Sequence, residues 1–473
     1  MKVKQILINS VWFGVIPKIS TLINVILLPV LTPYLTPFDY GVWGIISSYS
    51  GIILAVCTLG LHMHLTNSYY EYKNKFNVIW GKILLLLLIS SIAFSLILTI
   101  ILMCVLQEIE MLKRILVAIL GSFPILFNSN ALLASHLFPL RSQPRPLVLR
   151  NLLSSIAGLL VLFILVYYFN LGYIGFVSSA AISAFTSFLI FIDPIWVKEK
   201  IYPRVTIKLN KVKELFKVSL PVIPHALGFI LLSSSSRIIM SWYHVSIEDI
   251  GLFSNGYMMG DYITIITTAV VTALSPQIQK VYREGKYLEF RNLYYFAQGI
   301  AIISIILFSI WMPEIYKYLI RNEQLQQCSL IARYICFANA VLPLYLFMSG
   351  ITFIEKRTKQ LLWLVFVPGI LNILLCLVLI PIYGYKIAVI TTMIAYWSQI
   401  FIPFFVKYHN VKTKIWLGNR SKLLVLLLML VFAFFISLQI SNLVFQYKIF
   451  FTIIIGILSI VFLYKFSKIK QIE

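Results

Sequence analysis

The chain has 473 residues, of which 60% are hydrophobic and only 12% are charged, and its formal net charge is +23. Soluble domains have about a quarter of their residues charged, so this composition excludes an ordinary soluble enzyme or binding domain. It is typical of a protein that lies mostly within a membrane, and the placement of its positive charges has to be explained in that setting.

Fourteen apolar segments are candidates to cross a bilayer, since a crossing needs roughly 20 mostly apolar residues. They predict an all-α integral membrane protein with about 14 transmembrane helices, at about 9–35, 42–65, 80–106, 115–137, 147–169, 172–196, 216–242, 251–275, 293–313, 328–352, 361–382, 384–406, 423–442 and 446–464. No intervening stretch exceeds about 20 residues, so no separate folded domain is expected. The first segment is too long for a signal-peptide core and no small-x-small cleavage site follows, so we interpret it as a retained helix.

The basic residues between these segments are unevenly distributed. If the N-terminus is cytoplasmic, thirty Lys and Arg residues fall on the cytoplasmic side and six on the other. Short cytoplasmic loops are enriched in these residues, so both termini are predicted to be cytoplasmic. The same distribution explains the positive charge without nucleic acid, which is not expected as a partner, whereas bilayer lipids are.

Four charged residues lie well inside the apolar segments, away from the segment ends: the cations Lys18, Arg237 and Arg333, and the acid Asp261. Such groups are costly in hydrocarbon and usually face a protein-lined or watery cavity. A cavity lined with cations predicts an anionic substrate, so Lys18, Arg237 and Arg333 are the predicted substrate-binding residues. Snorkelling toward the membrane surface is the alternative for Arg237, and it is the stronger interpretation for Arg333.

The chain contains a weak internal duplication. Three pairs of segments match in the same order at offsets of 207 to 212 residues: Val15–Lys18 with Val222–His225, Thr36–Gly41 with Ser246–Gly251, and Gly172–Tyr173 with Gly384–Tyr385. The offset spans six predicted helices, an even number, so the two copies share one orientation, as in transporters whose substrate site lies between the halves. The predicted domains are a six-helix bundle, a basic cytoplasmic linker, a second six-helix bundle and two further helices, at 1–197, 198–217, 218–410 and 411–473.

The duplication adds further candidate residues. Pro17 and Pro224 occupy equivalent places, so we interpret them as hinge candidates that allow two helices to bend. His225 stands where the first copy has Lys18, and its usual pKa suits proton coupling, although a packed histidine is the simpler interpretation. Asp261 is the second coupling candidate, and a structural ion pair is its simplest role.

Other polar residues have simpler explanations. Asp39 and Asp249 precede glycines in short loops, where helix capping accounts for them. The five cysteines lie in or beside apolar segments without CxxC spacing, so we expect small buried side chains rather than disulfides or metal ligands. No cofactor or metal is predicted, and without a P-loop motif the chain does not carry its own ATPase.

The chain resembles the Wzx-type polysaccharide flippases of the multidrug/oligosaccharidyl-lipid/polysaccharide exporter superfamily. The resemblance is carried by Leu28–Gly41, by Ser219–His225 followed by Arg237 and Glu248–Ser254, and by the Gly-Tyr pairs that open helices 6 and 12. It implies two six-helix bundles around a central cavity. It also implies that an undecaprenyl-diphosphate-linked oligosaccharide, for O-antigen or a related surface polysaccharide, moves to the periplasmic leaflet of the inner membrane by alternating access.

The resemblance further implies lipid-linked oligosaccharide as a partner, and a polysaccharide polymerase and a chain-length regulator as further partners. Lipid II flippases in the superfamily use basic residues on helix 1 and on the first helix of the second half, where Lys18 and Arg237 lie. Two alternatives stay open: a multidrug or cation exporter, which favours carboxylates in its cavity, and a membrane-embedded polymerase, which typically needs a larger extramembrane region.

Overall fold

The computed structural model describes residues 19–72, 75–205, 215–216, 219, 223–355, 358–401 and 420–469. Helices are the regular elements of these residues, and the described part of the chain has no strand. This confirms the predicted all-α class. The chain divides into two compact units, residues 1–251 and residues 252–473.

In its described residues the first unit contains nine helices and the start of a tenth. In chain order they are α1 (Ile19–Leu31), α2 (Pro37–Cys57), α3 (His62–Glu71), α4 (Phe76–Val105), α5 (Met111–Leu126), α6 (Ser129–Leu140), α7 (Pro144–Phe163), α8 (Gly172–Ile192), α9 (Ile223–Trp242) and α10 (Ile247–Asp261). Short π-helical turns continue α7 and α8, at Ile164–Tyr168 and Asp193–Lys198.

The described part of the second unit contains the rest of α10 and ten further helices. They are α11 (Ile263–Arg283), α12 (Tyr287–Ile310), α13 (Met312–Leu319), α14 (Glu323–Gln326), α15 (Ser329–Ala338), α16 (Leu342–Ile354), α17 (Thr358–Tyr383), α18 (Ile387–Ser398), α19 (Arg420–Ser441) and α20 (Phe445–Ile469). A 3₁₀ turn at Asn339–Val341 joins α15 to α16.

Ten of the described helical segments are long and apolar enough to cross a membrane, and four shorter apolar helices accompany them. The shorter ones lie at Ile19–Tyr34, Ala226–Trp242, Ile387–Ser398 and Phe445–Ile460. Each predicted apolar segment falls on one of these fourteen helical segments. The chain is therefore a multi-pass membrane protein, while the predicted count of fourteen crossings stays a prediction.

Helix caps explain why α2 and α10 begin earlier than the apolar segments predicted there. The segment predicted from residue 42 starts as α2 at Pro37, because Thr36 and Asp39 form a capping box there. The segment predicted from residue 251 starts as α10 at Ile247, where the Ser246 hydroxyl accepts a hydrogen bond of 3.2 Å from the Asp249 backbone N–H. Hydropathy locates the apolar part of a helix, whereas its polar first turn is set by the cap.

The capping role predicted for Asp39 is confirmed, and the structure adds a second contact. The Asp39 carboxylate accepts hydrogen bonds from the Thr36 backbone N–H at 2.7 Å and from the Tyr173 backbone N–H at 2.6 Å. One carboxylate thus serves the first turns of α2 and α8, two helices far apart in sequence. For Asp249 the described residues show only the backbone contact with Ser246.

The helix α9 packs in the first unit, against α2. The Tyr49 and Ser241 hydroxyls lie 2.9 Å apart, and a Cβ atom on Gly51 would be 3.4 Å from the Ile230 side chain. The predicted division would place α9 in the second bundle, and much of the predicted linker lies outside the described residues. The predicted domain boundaries stay a prediction.

Helices α19 and α20, which lie outside the duplication, attach to the second unit through polar contacts. Ser309 and Ser437 are 3.1 Å apart, and the Trp311 indole N–H donates to Thr452 at 2.9 Å. The Lys448 ammonium, only 3% exposed as a residue, pairs with Glu314. Hydrogen bonds of this kind hold membrane helices together where the hydrophobic effect between them is absent.

Candidate functional site

Arg237 lies in the C-terminal half of α9 and directly follows four consecutive serines in an otherwise apolar helix. Its side chain is half-buried, and its Nη2 donates to the Ser233 carbonyl oxygen at 2.9 Å. Ser235 and Ser236 beside it are buried. The guanidinium is therefore held against its own helix while part of the side chain stays accessible.

The contacts of α9 show which face carries Arg237. Ile230 and Ser241 both contact α2, and they lie seven residues before and four residues after Arg237. Residues at these spacings share one face of a helix. Arg237 thus belongs to the α2-facing side of α9.

Asp261 ends α10 at a break before α11, and Asn339 opens the 3₁₀ turn that breaks the α15–α16 segment. The Asn339 side-chain amide donates to the Asp261 carboxylate at 3.3 Å and to the Ile335 carbonyl at 3.1 Å. Two interrupted helices therefore meet at their interruptions. Such meetings of broken helices form ion and substrate sites in membrane transporters.

Neighbouring side chains pair the carbonyl groups around the break. The Gln298 amide donates to the Ala340 carbonyl at 2.8 Å, and the Trp397 indole N–H donates to the Phe337 carbonyl at 2.8 Å. In a membrane each unsatisfied carbonyl is costly, so these two donors stabilise the interruption. Gln298 and Asn339 were not predicted from the sequence. Both are amide residues within apolar segments, and that pattern is a signal that could have identified them.

Arg333, the third predicted cation, is 7% exposed and lies in α15. Its Nη1 donates to the Ser441 hydroxyl at the end of α19. The guanidinium therefore links α15 to one of the two C-terminal helices. The substrate-binding role of Arg333 and the snorkelling alternative both stay predictions.

The remaining predicted site residues are only partly described. Lys18 and Pro17 lie outside the described residues. Pro224 is half-buried and lies at the start of the described part of α9. His225 follows it in the same helix. The substrate, coupling and hinge roles of these four residues stay predictions.

The first unit contains a partly open cavity of about 530 Å³ between α2, α5, α6, α7 and α8. Six serines and two asparagines are among its lining residues, and no charged residue lines it within the described part of the chain. Trp43 and Phe127 supply aromatic surface. Sequence analysis did not single out this cavity, because its serines and asparagines come from four separate segments.

Histidines and cysteines do not form a metal centre in the described residues. There, no three His, Cys, Asp or Glu side chains lie close enough to hold an ion. The rings of His62 and His136 are stacked with centroids 5.8 Å apart, a pairing the sequence did not reveal. All five cysteines are free; four are buried, as predicted, and Cys104 is exposed.

Comparison with known protein families decides the classification. Residues 6–282 match the family described as polysaccharide biosynthesis protein, which is more than half of the chain. The chain belongs to this family. No curated protein matches the sequence.

Solved transporter structures share the fold. The lipid II flippase MurJ, in an inward closed conformation, has a TM-score of 0.63 and 16% identity, covering 93% of this chain and 99% of that chain. An inward-facing multidrug resistance MATE family transporter of the MOP superfamily has a TM-score of 0.60 and 15% identity, covering 84% and 98%. A MOP superfamily transporter from Pyrococcus furiosus has a TM-score of 0.52 and 16% identity, covering 84% and 96%.

At these identities the structural likeness concerns the fold. Together with the family membership, it confirms the resemblance noted in the sequence. The chain has the fold of MOP superfamily transporters, and the predicted class, a transporter rather than an enzyme, agrees with both findings.

Proposed function

We propose that the chain is a flippase that moves an oligosaccharide repeat unit, linked to undecaprenyl diphosphate, from the cytoplasmic to the periplasmic leaflet of the inner membrane. It works by alternating access, with both termini in the cytoplasm. The product is the repeat unit of O-antigen or of a related surface polysaccharide. A polysaccharide polymerase and a chain-length regulator are the proposed partners that use it.

The observation that carries the proposal is Arg237. A guanidinium in a membrane-spanning helix is costly unless it serves an anionic ligand or a partner group. Arg237 is half-buried, and its planar fork of donors suits bidentate contact with a phosphate. A diphosphate needs such cations to cross the apolar interior, and Lys18 and Arg333 are the proposed companions.

Transport by purified protein in proteoliposomes tests the role of Arg237. The probe is a fluorescent oligosaccharide on undecaprenyl diphosphate, and the measurement is its movement between leaflets. Arg237→Gln should slow transport about tenfold or more, because losing a charge-assisted contact costs roughly 1.5–3 kcal/mol. Arg237→Lys should keep part of the activity, since it retains the charge without the fork.

The matched control is Arg283→Gln, which removes an exposed arginine at the end of α11. It should leave transport unchanged. Equal transport by Arg237→Gln and the wild type would remove the diphosphate-binding role. Movement of organic cations but not of the lipid probe by the wild type would favour the exporter alternative.

Arg333 needs a separate test because Ser441 already contacts it. Ser441→Ala removes this contact without changing charge, so a structural Arg333 predicts lower thermal stability and normal substrate affinity. A substrate-binding Arg333 predicts that Arg333→Gln weakens binding of the lipid probe. The two variants together separate the roles.

Coupling to an ion gradient is the part of the proposal that rests on Asp261. Its contact with Asn339 at two helix breaks supports this role, because carboxylates at such breaks can bind a cation or a proton in transporters. Asp261→Asn should abolish the dependence of transport on an imposed proton or sodium gradient, and His225→Gln is the companion variant. An unchanged gradient dependence in Asp261→Asn would assign Asp261 a structural role.

The hinge proposal concerns Pro17 and Pro224. Replacing either by alanine restores a backbone donor and straightens the helix. Turnover should then fall while the affinity for the lipid probe stays the same. A change in affinity with unchanged turnover would contradict the hinge role.

A further inference from the structure

We infer that the cavity in the first unit binds an uncharged sugar ring of the transported glycan. The inference rests on the proposed function, since the sugar reaches the cavity as part of the lipid-linked substrate. It goes further by assigning the sugar a site of its own, made of neutral groups and separate in chemistry from the cations proposed for the diphosphate.

The cavity has the size of a ligand site. Its volume of about 530 Å³ lies within the roughly 300–1,000 Å³ typical of small-molecule pockets. It is lined by five helices of one compact unit, so its walls come from a single packed body. A single sugar ring, or two linked rings, is of suitable size.

Several polar groups on its wall have no partner in the protein. Among the described residues, the side chains of Asn128, Asn151, Ser183 and Ser187 make no hydrogen bond to another residue, and neither does the Trp43 indole N–H. Amides left without hydrogen bonds inside a membrane protein are costly. Asn151 is exposed and the other four residues are half-buried, so these groups are accessible from the cavity and can donate hydrogen bonds to, and accept them from, an occupant.

Other hydroxyl groups on the wall are oriented as acceptors. Ser154 and Ser155 both donate to the Asn151 carbonyl oxygen at 2.9 Å, and Ser47 donates to the Gly44 carbonyl oxygen at 3.1 Å. Each hydroxyl hydrogen is thereby used within the protein, which leaves the oxygen lone pairs to accept. Sugar hydroxyl groups can donate to these oxygens and accept from the free amides.

Aromatic rings supply the apolar part of the wall. Trp43 is stacked on Phe176, with centroids 6.0 Å apart and an interplanar angle of 16°. Phe127 packs against Phe185 and Phe188 at 5.1 and 5.5 Å. Rings fixed by neighbours present flat surfaces, and the C–H face of a pyranose packs on such a surface.

The uncharged side chains on this wall favour neutral ligands over anionic ones. Among the described residues that line the cavity, none is Lys, Arg, His, Asp or Glu. A diphosphate or a uronic acid held against this part of the wall would lack a counter-ion there, which is unfavourable. The wall thus favours neutral hexoses and N-acetylated hexoses over acidic sugars.

Cysteine protection tests the inference on the full chain. Ser183→Cys is introduced with Cys104→Ser, which removes the one exposed native cysteine. Labelling by a small maleimide is then measured with free N-acetylglucosamine, glucuronic acid or inorganic diphosphate. The neutral sugar should slow labelling about threefold when present at twice its Kd, whereas the two anions should not.

Substitutions on the wall provide the second arm. Asn128→Ala and Asn151→Ala should each weaken protection by the neutral sugar about three- to tenfold, the effect of one lost hydrogen bond. The control is Ser135→Ala, whose exposed hydroxyl on α6 is not among the lining residues. Size-exclusion profiles report whether each variant is folded, and the Ser183→Cys result stands without the alanine variants.

Protection by inorganic diphosphate or glucuronic acid equal to that by the neutral sugar would overturn the inference. Labelling unaffected by any of the three probes would also overturn it, since the cavity would then hold only water. If protection by the neutral sugar is found but the wild type does not move the lipid probe in proteoliposomes, the proposed function fails while the sugar site stands.

Discussion

Thr36–Gly41 and Ser246–Gly251 are two copies of one motif that form the same local structure and then acquire different surroundings. In both copies a hydroxyl residue caps the helix that begins at the next position. Asp39 is 7% exposed and also bonds to the first turn of α8, whereas Asp249 is half-buried and its carboxylate makes no hydrogen bond within the described residues. The motif specifies a helix start; the tertiary partner of its acid is specified elsewhere.

The two copies also contact each other, and the contact is reciprocal. A Cβ atom on Gly41 would lie 1.9 Å from the Ile247 carbonyl oxygen, and one on Gly251 would lie 1.7 Å from the Pro37 carbonyl oxygen. Pro37 and Ile247 are equivalent in the duplication, as are Gly41 and Gly251. Gly41 thus contacts the partner of Pro37, and Gly251, the partner of Gly41, contacts Pro37 itself. Such an exchange of equivalent contacts is expected when the two motif copies are related by a two-fold axis.

The largest effect is expected from breaking this contact. Gly41→Leu should destabilise the protein by about 3 kcal/mol or more, because any side chain collides with a backbone carbonyl that cannot rotate away. Gly251→Leu should cost a similar amount, and the double variant should cost less than the sum, since both remove one shared contact. Thermal unfolding of detergent-solubilised protein measures all three.

Gly350→Ala is the control for these glycines, because a Cβ atom there would have no neighbour within 4 Å. It should leave stability unchanged or raise it by about 0.5–1 kcal/mol. A tolerated leucine at Gly41 would show that the close approach is not maintained, and unequal losses at Gly41 and Gly251 would argue against reciprocity.

A smaller effect is expected where the copies differ. Asp39→Ala leaves the backbone N–H groups of Thr36 and Tyr173 without their acceptor, so it should destabilise by about 2–4 kcal/mol. Asp249→Ala should cost about 1 kcal/mol or less, the value of a carboxylate near a helix N-terminus. Equal losses in thermal unfolding would mean that the bond to α8 contributes nothing.

The sequence predicted the helices well because hydrophobic length is a local property. Each of the fourteen predicted segments coincides with a helical segment, and the errors lie at the ends, where caps such as Ser246 decide the boundary. Pairings over long distances in sequence could not be predicted in the same way. Nothing near Asp39 in the chain indicates Tyr173, and nothing near Asp261 indicates Asn339.

Some candidate site residues could be predicted from the sequence and others could not, for a related physical reason. Charged residues in apolar segments are conspicuous, so Arg237, Arg333 and Asp261 were found from sequence. Neutral polar residues are common in membrane helices, so the cavity residues Asn128 and Asn151 were not. Only the fold shows which serines and amides face a common space, because this depends on how five helices are rotated about their axes.

The smallest effect is expected at the caps that the two copies share. Thr36→Ala should destabilise by about 1–2 kcal/mol, because Thr36 both accepts from the Asp39 N–H and donates to its carboxylate at 2.7 Å. Ser246→Ala removes the single contact with the Asp249 N–H and should cost about 0.5–1 kcal/mol. Thr36→Ser and Ser246→Thr, which keep the hydroxyl, should unfold at the wild-type temperature. Only the first copy has a carboxylate that completes the capping box, so its cap is expected to contribute more stability. A larger loss of stability in Ser246→Ala than in Thr36→Ala would contradict this expectation.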